Sequence, residues 1–235
     1  MIKENKLALC IGAALTAGVF SIVPAAYAMP QATGTNATAN QAAATIATTG
    51  NTMDIQGKTQ NNILKWDSFS IAKGETVQFD GGNKTNNYLN LVNGTNMSEI
   101  YGTMKGGNNV YLINPNGILF GAGAQVNVGH LIASTRTLSD ANRTDFAAGN
   151  NPITNSTATA ATGDIVNTGK LQASSVVLEG KDVRIINTAD ITSDGTTVLQ
   201  GTNVTIKASG EARLQRSGTA VVCCGPELQF HGGYE

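Results

Sequence analysis

The chain has 235 residues, of which 13% are charged, and a formal net charge of −1. So few charges exclude a coiled coil, and the absence of a basic excess excludes a protein that neutralises many phosphates of a nucleic acid. Gly, Thr and Asn are all abundant, and because all three are poor helix formers while apolar residues are too frequent for disorder, the composition predicts an all-β protein.

Residues 1–28 are typical of a secretory signal peptide. Two lysines open the segment, a mostly apolar run from Leu7 to Val23 follows, and Ala26-Tyr27-Ala28 matches the small-x-small cleavage pattern. The apolar run is short for a membrane anchor, the alternative interpretation, which needs about 20 residues. We therefore expect cleavage after Ala28 and an exported chain with no anchor of its own.

Residues 29–60 are small and polar, with few large apolar side chains. The segment is either disordered or an N-terminal cap, and we favour a cap that covers the exposed end of the structure that follows. Ile46, Met53 and Ile55 would then supply its apolar contacts. Trp66 and Phe69 are the largest side chains nearby, and we expect them to fill the core beneath this cap as structural residues.

Residues 61–206 contain short strands with alternating apolar residues, separated by Gly, Asn or Asp. The segments 165–185 and 185–206 resemble each other at a spacing of about 20 residues. Leu178 matches Leu199, for example, and Asn167-Thr168 matches Asn187-Thr188.

A repeat of this length with strand signals and no helical pattern favours a stacked architecture. We therefore predict a right-handed parallel β-helix, a solenoid of roughly seven coils, with an N-terminal β cap. Inward Val, Ile and Leu side chains would stack on their equivalents in the next coil, and corner Asn side chains would form ladders between coils.

The stretch 110–135 carries the most distinctive turn of the chain, Asn114-Pro115-Asn116-Gly117, between two apolar strands. Asn suits the first position of a type I turn, Pro presets φ at the second, and Gly suits the fourth. From residue chemistry alone, this is an ordinary turn at a coil corner.

The wider sequence around the turn resembles the haemagglutination activity domain, the two-partner secretion domain of filamentous-haemagglutinin-like exoproteins. The Asn-Pro-Asn-Gly-Ile element of that family is matched at 114–118, its Phe-Gly-x-Gly-Ala-x-Val-x-Val pattern at 120–128, and its Ala-Ser-Thr end at 133–135. The segment 61–79 looks like the family's Trp-x-x-Phe-x-Ile-x-x-Gly segment. A second family element, Asn-Pro-Asn-Leu, is absent, and Asn-rich turns occupy 86–94 instead.

This resemblance implies a bacterial secretion substrate that folds as a β-helix at the cell surface or in the extracellular space of a Gram-negative-type bacterium. Its partner would be an outer-membrane β-barrel transporter with periplasmic recognition domains, and a host-cell or glycan receptor could follow. The motif implied to act in transporter recognition consists of Asn114, Pro115, Asn116, Gly117 and Ile118. Phe120 and Gly121 would be structural, and we expect a monomer with no cofactor, no metal and no nucleic-acid partner.

The main alternative is a self-contained surface attachment or carbohydrate-binding β-helix, because exposed Thr and Asn rungs can bond sugar hydroxyls. A polysaccharide-cleaving enzyme of the pectin-lyase type would need carboxylates beside a basic residue on one face. Asp182 with Arg184, and Asp190 with Asp194, are the nearest candidates, and we interpret them as surface charges. His130 is interpreted as a corner residue, and no enzymatic activity is expected.

Residues 207–235 are interpreted as a tail without coil pattern, because the repeat fails after Gln215. Adjacent Cys223 and Cys224 rarely bond each other and, with His231, have the wrong spacing for a zinc site. Members of the resembled family usually continue for hundreds of residues. We therefore expect a truncated or frameshifted end here, with a natural short tail as the alternative.

Overall fold

The computed structural model describes residues 29–153, 158–208, 213–216 and 220–231, so the predicted signal peptide at 1–28 lies outside the described residues. The helices are α1 (Gly34–Ala43), α2 (Asp140–Ala147) and one turn of 3-10 helix at Asp80–Gly82. None of the helices in this part of the chain is long and apolar enough to cross a membrane.

In chain order the strands are β1 (Ala44–Thr49), β2 (Thr52–Gly57), β3 (Asn61–Trp66), β4 (Thr76–Phe79), β5 (Asn87–Val92), β6 (Ser98–Ile100), β7 (Thr103–Gly106), β8 (Asn109–Ile113), β9 (Ile118–Phe120), β10 (Gln125–Asn127), β11 (His130–Ser134), β12 (Ile165–Asn167), β13 (Lys170–Ala173), β14 (Ser175–Glu179), β15 (Asp182–Asn187), β16 (Asp190–Ser193), β17 (Thr197–Ala208), β18 (Arg213–Arg216) and β19 (Ala220–His231).

The strands wind into a parallel β-helix, which confirms the predicted fold. The first sheet has the order β1-β2-β4-β7-β10-β13-β16-β18, and its β1–β2 pair is an antiparallel hairpin. The second sheet has two rows, β3-β5-β8-β11-β14 and β6-β9-β12-β15, which meet in the long strand β17, and β19 pairs with β17. Each coil from β4 to β15 therefore gives one strand to the first sheet and one strand to each row of the second, and about seven coils are stacked.

The strand register confirms part of the repeat seen in the sequence. Leu171 lies opposite Ile191, and Leu178 lies opposite Leu199. All four side chains are buried in the core between the sheets. Apolar residues at the repeat spacing therefore stack on one another in neighbouring coils.

In the strand register, Asn167 lies opposite Ile185 and not opposite Asn187, the residue that it matches in the sequence repeat. The inward apolar positions decide the register, and β15 is longer than β12, so the corner after β15 takes up the additional residues. The two coils meet again beyond this corner, where the Thr188 hydroxyl donates to the Thr168 carbonyl at 3.0 Å.

A column of polar side chains connects the coils at the start of the second sheet. Asn87 Nδ2 donates to Asn61 Oδ1 at 2.7 Å, and Asn109 Nδ2 donates to Asn87 Oδ1 at 2.8 Å. The next coil places His130 opposite Asn109, and the His130 Nδ1 lies 2.7 Å from the Ser175 Oγ. The expected Asn ladder therefore exists, and His130 extends its column.

The core of the solenoid is a single apolar cluster inside the coils, and among its largest fully buried side chains are Trp66, Phe69, Phe79, Tyr88 and Phe120. The Tyr88 hydroxyl donates to the Asp80 carboxylate. Burial and this hydrogen bond raise the pKa of Tyr88 well above its usual value, so the phenol stays protonated.

The N-terminal cap differs from the predicted β cap because it contains helix α1 as well as the β1–β2 hairpin. The helix is rich in alanine, the strongest helix former, and this local preference outweighs the overall composition. Asn40, 1% exposed, bonds the open edge of β3 by donating to the Lys65 carbonyl at 2.8 Å and accepting from the Lys65 N–H at 2.6 Å. One side-chain amide thus occupies hydrogen-bonding groups that a further strand would otherwise pair with.

Apolar side chains fill the space beneath the cap. Met53 and Ile55 are buried in the core, and Ile46 packs against it. Trp66 and Phe69 are each 1% exposed, and their ring centroids lie 5.6 Å apart in an edge-on contact. These two rings close the first coil under the cap.

The carboxylate of Asp67 connects the cap helix to the first coil. Its Oδ2 accepts from the Thr33 N–H at 2.7 Å and from the Thr33 hydroxyl at 2.6 Å, and its Oδ1 accepts from Asn36 Nδ2 at 2.6 Å. These hydrogen bonds hold the pKa of Asp67 below its ordinary value. A negative charge at the start of α1 also suits the helix dipole.

Acidification is expected to loosen α1. Because the folded pKa of Asp67 lies below the unfolded value of about 4, its stabilising contribution is present above that pH and is lost as the pH falls through the folded pKa. Hydrogen-exchange protection factors of the α1 amides should therefore decrease between pH 5 and strongly acidic pH. The isosteric variant Asp67→Asn should show weak protection at both pH values. Unchanged protection in the native chain on acidification would contradict this assignment.

A long excursion between β11 and β12 carries helix α2, which begins with a capping box formed by Ser139 and Asn142. The helix covers a second apolar cluster on the outer face of the second sheet, where Phe146 packs edge-on against Tyr111 at 5.5 Å between ring centroids. The excursion therefore shields apolar side chains that the solenoid turns outward.

The interpretation of 207–235 as a tail without coil pattern is corrected by two strands. β18 pairs in parallel with β16, and β19 pairs in parallel with β17, with a register shift between Gly201 and Asn203. Cys223 and Cys224 lie within β19, opposite Gln200 and Gly201. The exposed edge of one coil offers its backbone groups to any strand-compatible segment, so pairing does not require the apolar repeat.

Candidate functional site

The predicted Asn-Pro-Asn-Gly turn forms the corner between β8 and β9. The Gly117 N–H donates to the Asn114 carbonyl at 3.1 Å, which is the first-to-fourth hydrogen bond of a β-turn. Gly117 has a φ of 120°, a region that favours glycine. Asn116 is exposed and Pro115 half-buried, whereas Asn114, Gly117 and the following Ile118 are buried.

The Asn114 side chain is fully buried and uses all of its hydrogen-bonding capacity within the fold. Its Nδ2 donates to the Asn96 carbonyl and to the Ser98 Oγ, both at 3.0 Å. Its Oδ1 accepts from the Asn116 backbone N–H at 3.0 Å and from Asn116 Nδ2 at 3.1 Å. An amide has two donor hydrogens and two acceptor lone pairs, so this side chain has no free position for a partner.

Asn116 connects the turn to the preceding coil. Its Nδ2 donates to the Gly94 carbonyl at 2.8 Å. Gly94 in turn lies against the coil before its own, where a Cβ on Gly94 would be 1.9 Å from the Asp67 carbonyl oxygen. Backbone packing below the motif therefore requires glycine at position 94.

The end of the α2 excursion covers the turn from the other side. The Thr162 hydroxyl donates to the Pro115 carbonyl at 2.9 Å, and the Thr135 hydroxyl donates to the Gly163 carbonyl at 2.8 Å. A Cβ on Gly163 would be 2.5 Å from the Gly117 nitrogen. The roles of Thr162 and Gly163 could not be predicted, because no local sequence pattern indicates which distant residues the solenoid stacks against a turn.

The structural residues after the turn point into the core or permit close packing. Ile118 and Phe120 are fully buried. A Cβ on Gly121 would be 2.3 Å from the Tyr101 ring, so a larger residue at position 121 would have to displace that ring. Burial, followed by the negative charge of Glu99, raises the pKa of Tyr101.

The motif can hold a turn and offer hydrogen bonds, but it contains no side chain that titrates near neutral pH.

Arg184, a catalytic candidate in the sequence, forms an ion pair with Asp164 at 2.9 Å. Asp182 instead accepts from Asn203 Nδ2 at 2.8 Å. In the described ranges, no three His, Cys, Asp or Glu side chains are placed to hold a metal ion.

Comparisons with known proteins give consistent matches. The family model of the TPS secretion domain matches residues 28–222. A heme/hemopexin-binding protein of Haemophilus influenzae strain Rd is 31% identical over 213 residues, which are 89% of this chain and 23% of that protein. Another heme/hemopexin-binding protein of Haemophilus influenzae is 36% identical over 91 residues, which are 39% of this chain and 10% of that protein. The chain thus matches less than a quarter of the length of these relatives.

Among solved structures, the crystal structure of the HMW1 secretion domain from Haemophilus influenzae is 22% identical to this chain. The alignment covers 70% of this chain and 53% of that chain, with a TM-score of 0.45.

Proposed function

Because the chain belongs to the family of TPS secretion domains, found in exoproteins of two-partner systems, we propose that it is the secretion module of a filamentous-haemagglutinin/adhesin-like exoprotein. Residues 1–28 direct export into the periplasm and are removed after Ala28. An outer-membrane β-barrel transporter then captures the chain through its periplasmic domains and passes it to the cell surface. The family match, which begins at residue 28, supports this division of the chain.

The observation that carries this proposal is the burial of Asn114. Every hydrogen-bonding position of its side chain is occupied inside the corner. A transporter that contacts the Asn114 side chain therefore has to do so before the corner forms. Recognition of the unfolded chain in the periplasm meets this requirement, and the same residues then build the corner after export.

Capture by strand addition is the mode that suits such a chain. An extended segment can pair its backbone with an exposed strand edge of a recognition domain, as peptides do in β-augmentation. The solenoid forms by pairing each coil with its neighbour, so folding can begin at the N-terminal end and propagate along the axis. Folding outside the cell then opposes return through the transporter.

The proposal is tested by producing the full chain with and without its cognate transporter. We expect the protein in the medium or at the cell surface only when the transporter is present, and in the periplasm when it is absent. A periplasmic protein of similar size, measured in the same fractions, controls for leakage of periplasmic contents into the medium. Equal release without the transporter would refute the proposal. If the chain stays in the periplasm in both cases, the same comparison with a chain shortened after Ile206 shows whether residues 207–235 block export.

The motif variants Asn114→Ala and Asn116→Ala are each expected to reduce transporter-dependent export several-fold. Both remove a side chain that an extended chain would present together with Pro115. The matched control is Asn150→Ala, an exposed Asn in the α2 excursion whose side chain makes no hydrogen bond within the described part of the chain. Export is measured as the ratio of medium to periplasmic protein. Normal export of both variants would exclude a role for the motif.

A further inference from the structure

The outer face of the first sheet contains a groove that the export function does not use. The groove crosses β7, β10, β13 and β16 and has a volume of about 310 Å³. Its floor is formed by Val126 and Leu171, which belong to the core. In contrast to the second sheet, whose outer face is covered by α2, this face carries no covering element within the described residues.

The walls of the groove are two rows of polar side chains set by the strand register. In the first row, Gln125 lies between Thr103 and Lys170. In the second row, Asn127 lies between Lys105 and Gln172. Neighbouring strands are about 4.8 Å apart, so each row repeats hydrogen-bonding groups at this interval along the solenoid axis.

Most of these groups are free to bind a ligand. Gln125, Asn127, Lys170 and Gln172 are exposed, and Lys105 is half-buried. Within the described part of the chain, none of these five side chains forms a hydrogen bond or an ion pair. Lys105 and Lys170 are two strands apart, about 10 Å along the axis. Two lysine ammonium groups therefore face one groove together with three amides.

We propose that this groove binds an extended anionic polysaccharide, a function beyond export. The two ammonium groups would contact carboxylates on one sugar chain, and the amides, which both donate and accept, would bond its hydroxyls. Asp190 bounds the groove beyond Lys170, accepts from the Thr192 hydroxyl at 3.4 Å, and repels an acidic group at that end. The floor side chains are buried, so the groove offers no open apolar pockets for the side chains of a peptide.

The test measures binding of the purified full chain to polygalacturonate, with the fully methyl-esterified polymer as a neutral ligand of the same backbone. We expect binding to the acidic polymer alone, and affinity that weakens as salt screens the charges. The double variant Lys105→Gln/Lys170→Gln should reduce the affinity at least tenfold. The control Lys73→Gln/Lys181→Gln removes the same charge at two exposed positions outside the groove and should bind normally.

Folding of the variants is checked by their thermal unfolding midpoints, and Lys105→Arg/Lys170→Arg, which keeps both charges, should retain binding. The proposal is overturned if the native chain does not bind polygalacturonate, or if it binds the esterified polymer equally. Equal losses in the groove and control variants would also overturn it. Equal binding of polyglutamate would assign the groove to acidic peptides instead. None of these readouts depends on a transporter, so they are independent of the export experiment.

Discussion

Replacing Asn114 by alanine is expected to lower the free energy of unfolding by about 2–4 kcal/mol. The substitution removes a fully buried amide that satisfies the Asn96 carbonyl, the Ser98 hydroxyl and the Asn116 N–H. These groups lie between stacked coils, where water cannot easily replace the lost partner. Denaturant unfolding of the folded chain, followed by circular dichroism, measures the effect.

Asn116→Ala is the matched control for this measurement. Asn116 is exposed, and water can replace its side chain at the Gly94 carbonyl, so we expect a loss of no more than about 1 kcal/mol. Equal destabilisation by the two variants would contradict the assignment of Asn114 as the structural centre of the corner.

Measuring both stability and export of the two variants distinguishes two roles of the motif, recognition by the transporter and folding outside the cell. If the transporter contacts the unfolded chain, Asn114→Ala and Asn116→Ala should reduce export similarly although their stabilities differ. If the motif acts by driving folding outside the cell, export should decrease in the order of the stability losses. The two outcomes require only the variants already described.

Trp66→Ala is expected to destabilise the folded chain by about 3–5 kcal/mol, the range found for large-to-small substitutions of buried aromatic residues. Trp66 is 1% exposed, packs edge-on against Phe69, and donates from Nε1 to Asn90 Oδ1 at 3.1 Å. The substitution would leave a cavity between the cap and the first coil. The unfolding midpoint reports the total loss, and limited proteolysis of 29–60 reports loosening of the cap.

The control for the cavity is Trp66→Phe, which keeps an aromatic ring and removes the donor to Asn90. We expect a smaller loss, about 1–3 kcal/mol, because Asn90 Oδ1 would lack its Trp66 donor while Asn90 Nδ2 keeps its bond to the Tyr111 carbonyl at 3.0 Å. A loss below about 1 kcal/mol for Trp66→Ala would show that the cap does not depend on this ring.

Particular residues show how far the sequence predicted the fold. The opposed pairs Leu171–Ile191 and Leu178–Leu199 follow from the repeat, because buried apolar positions recur with each coil. The pairing of Asn167 with Ile185 could not be predicted, because the corners absorb extra residues without changing the local chemistry. Helix α1 was not predicted, because the composition of the whole chain disfavours helices, although the alanines of this segment favour a helix locally.

The candidate site likewise has one part that the sequence predicted and another part that it did not predict. The turn at 114–117 and its hydrogen bond follow from the preferences of Asn, Pro and Gly at defined turn positions. Gly94 and Gly163 are essential to the site through the backbone they approach. Their role has no local signal, because it depends on which coils stack above and below.

The β-helix architecture could be predicted from the chain alone, since strand alternation, turn chemistry and a repeat near 20 residues are local properties of the sequence. Which side chains face each other across coils became visible only in the folded structure. In the folded chain, Asn114 is buried and inaccessible to a partner, and the α2 excursion covers an outer apolar face. Lys105 and Lys170 line one open groove. Contacts between coils join residues that are 18 (Asn167–Ile185) to 47 (Ile118–Ile165) positions apart, and corner lengths that vary from coil to coil set their register.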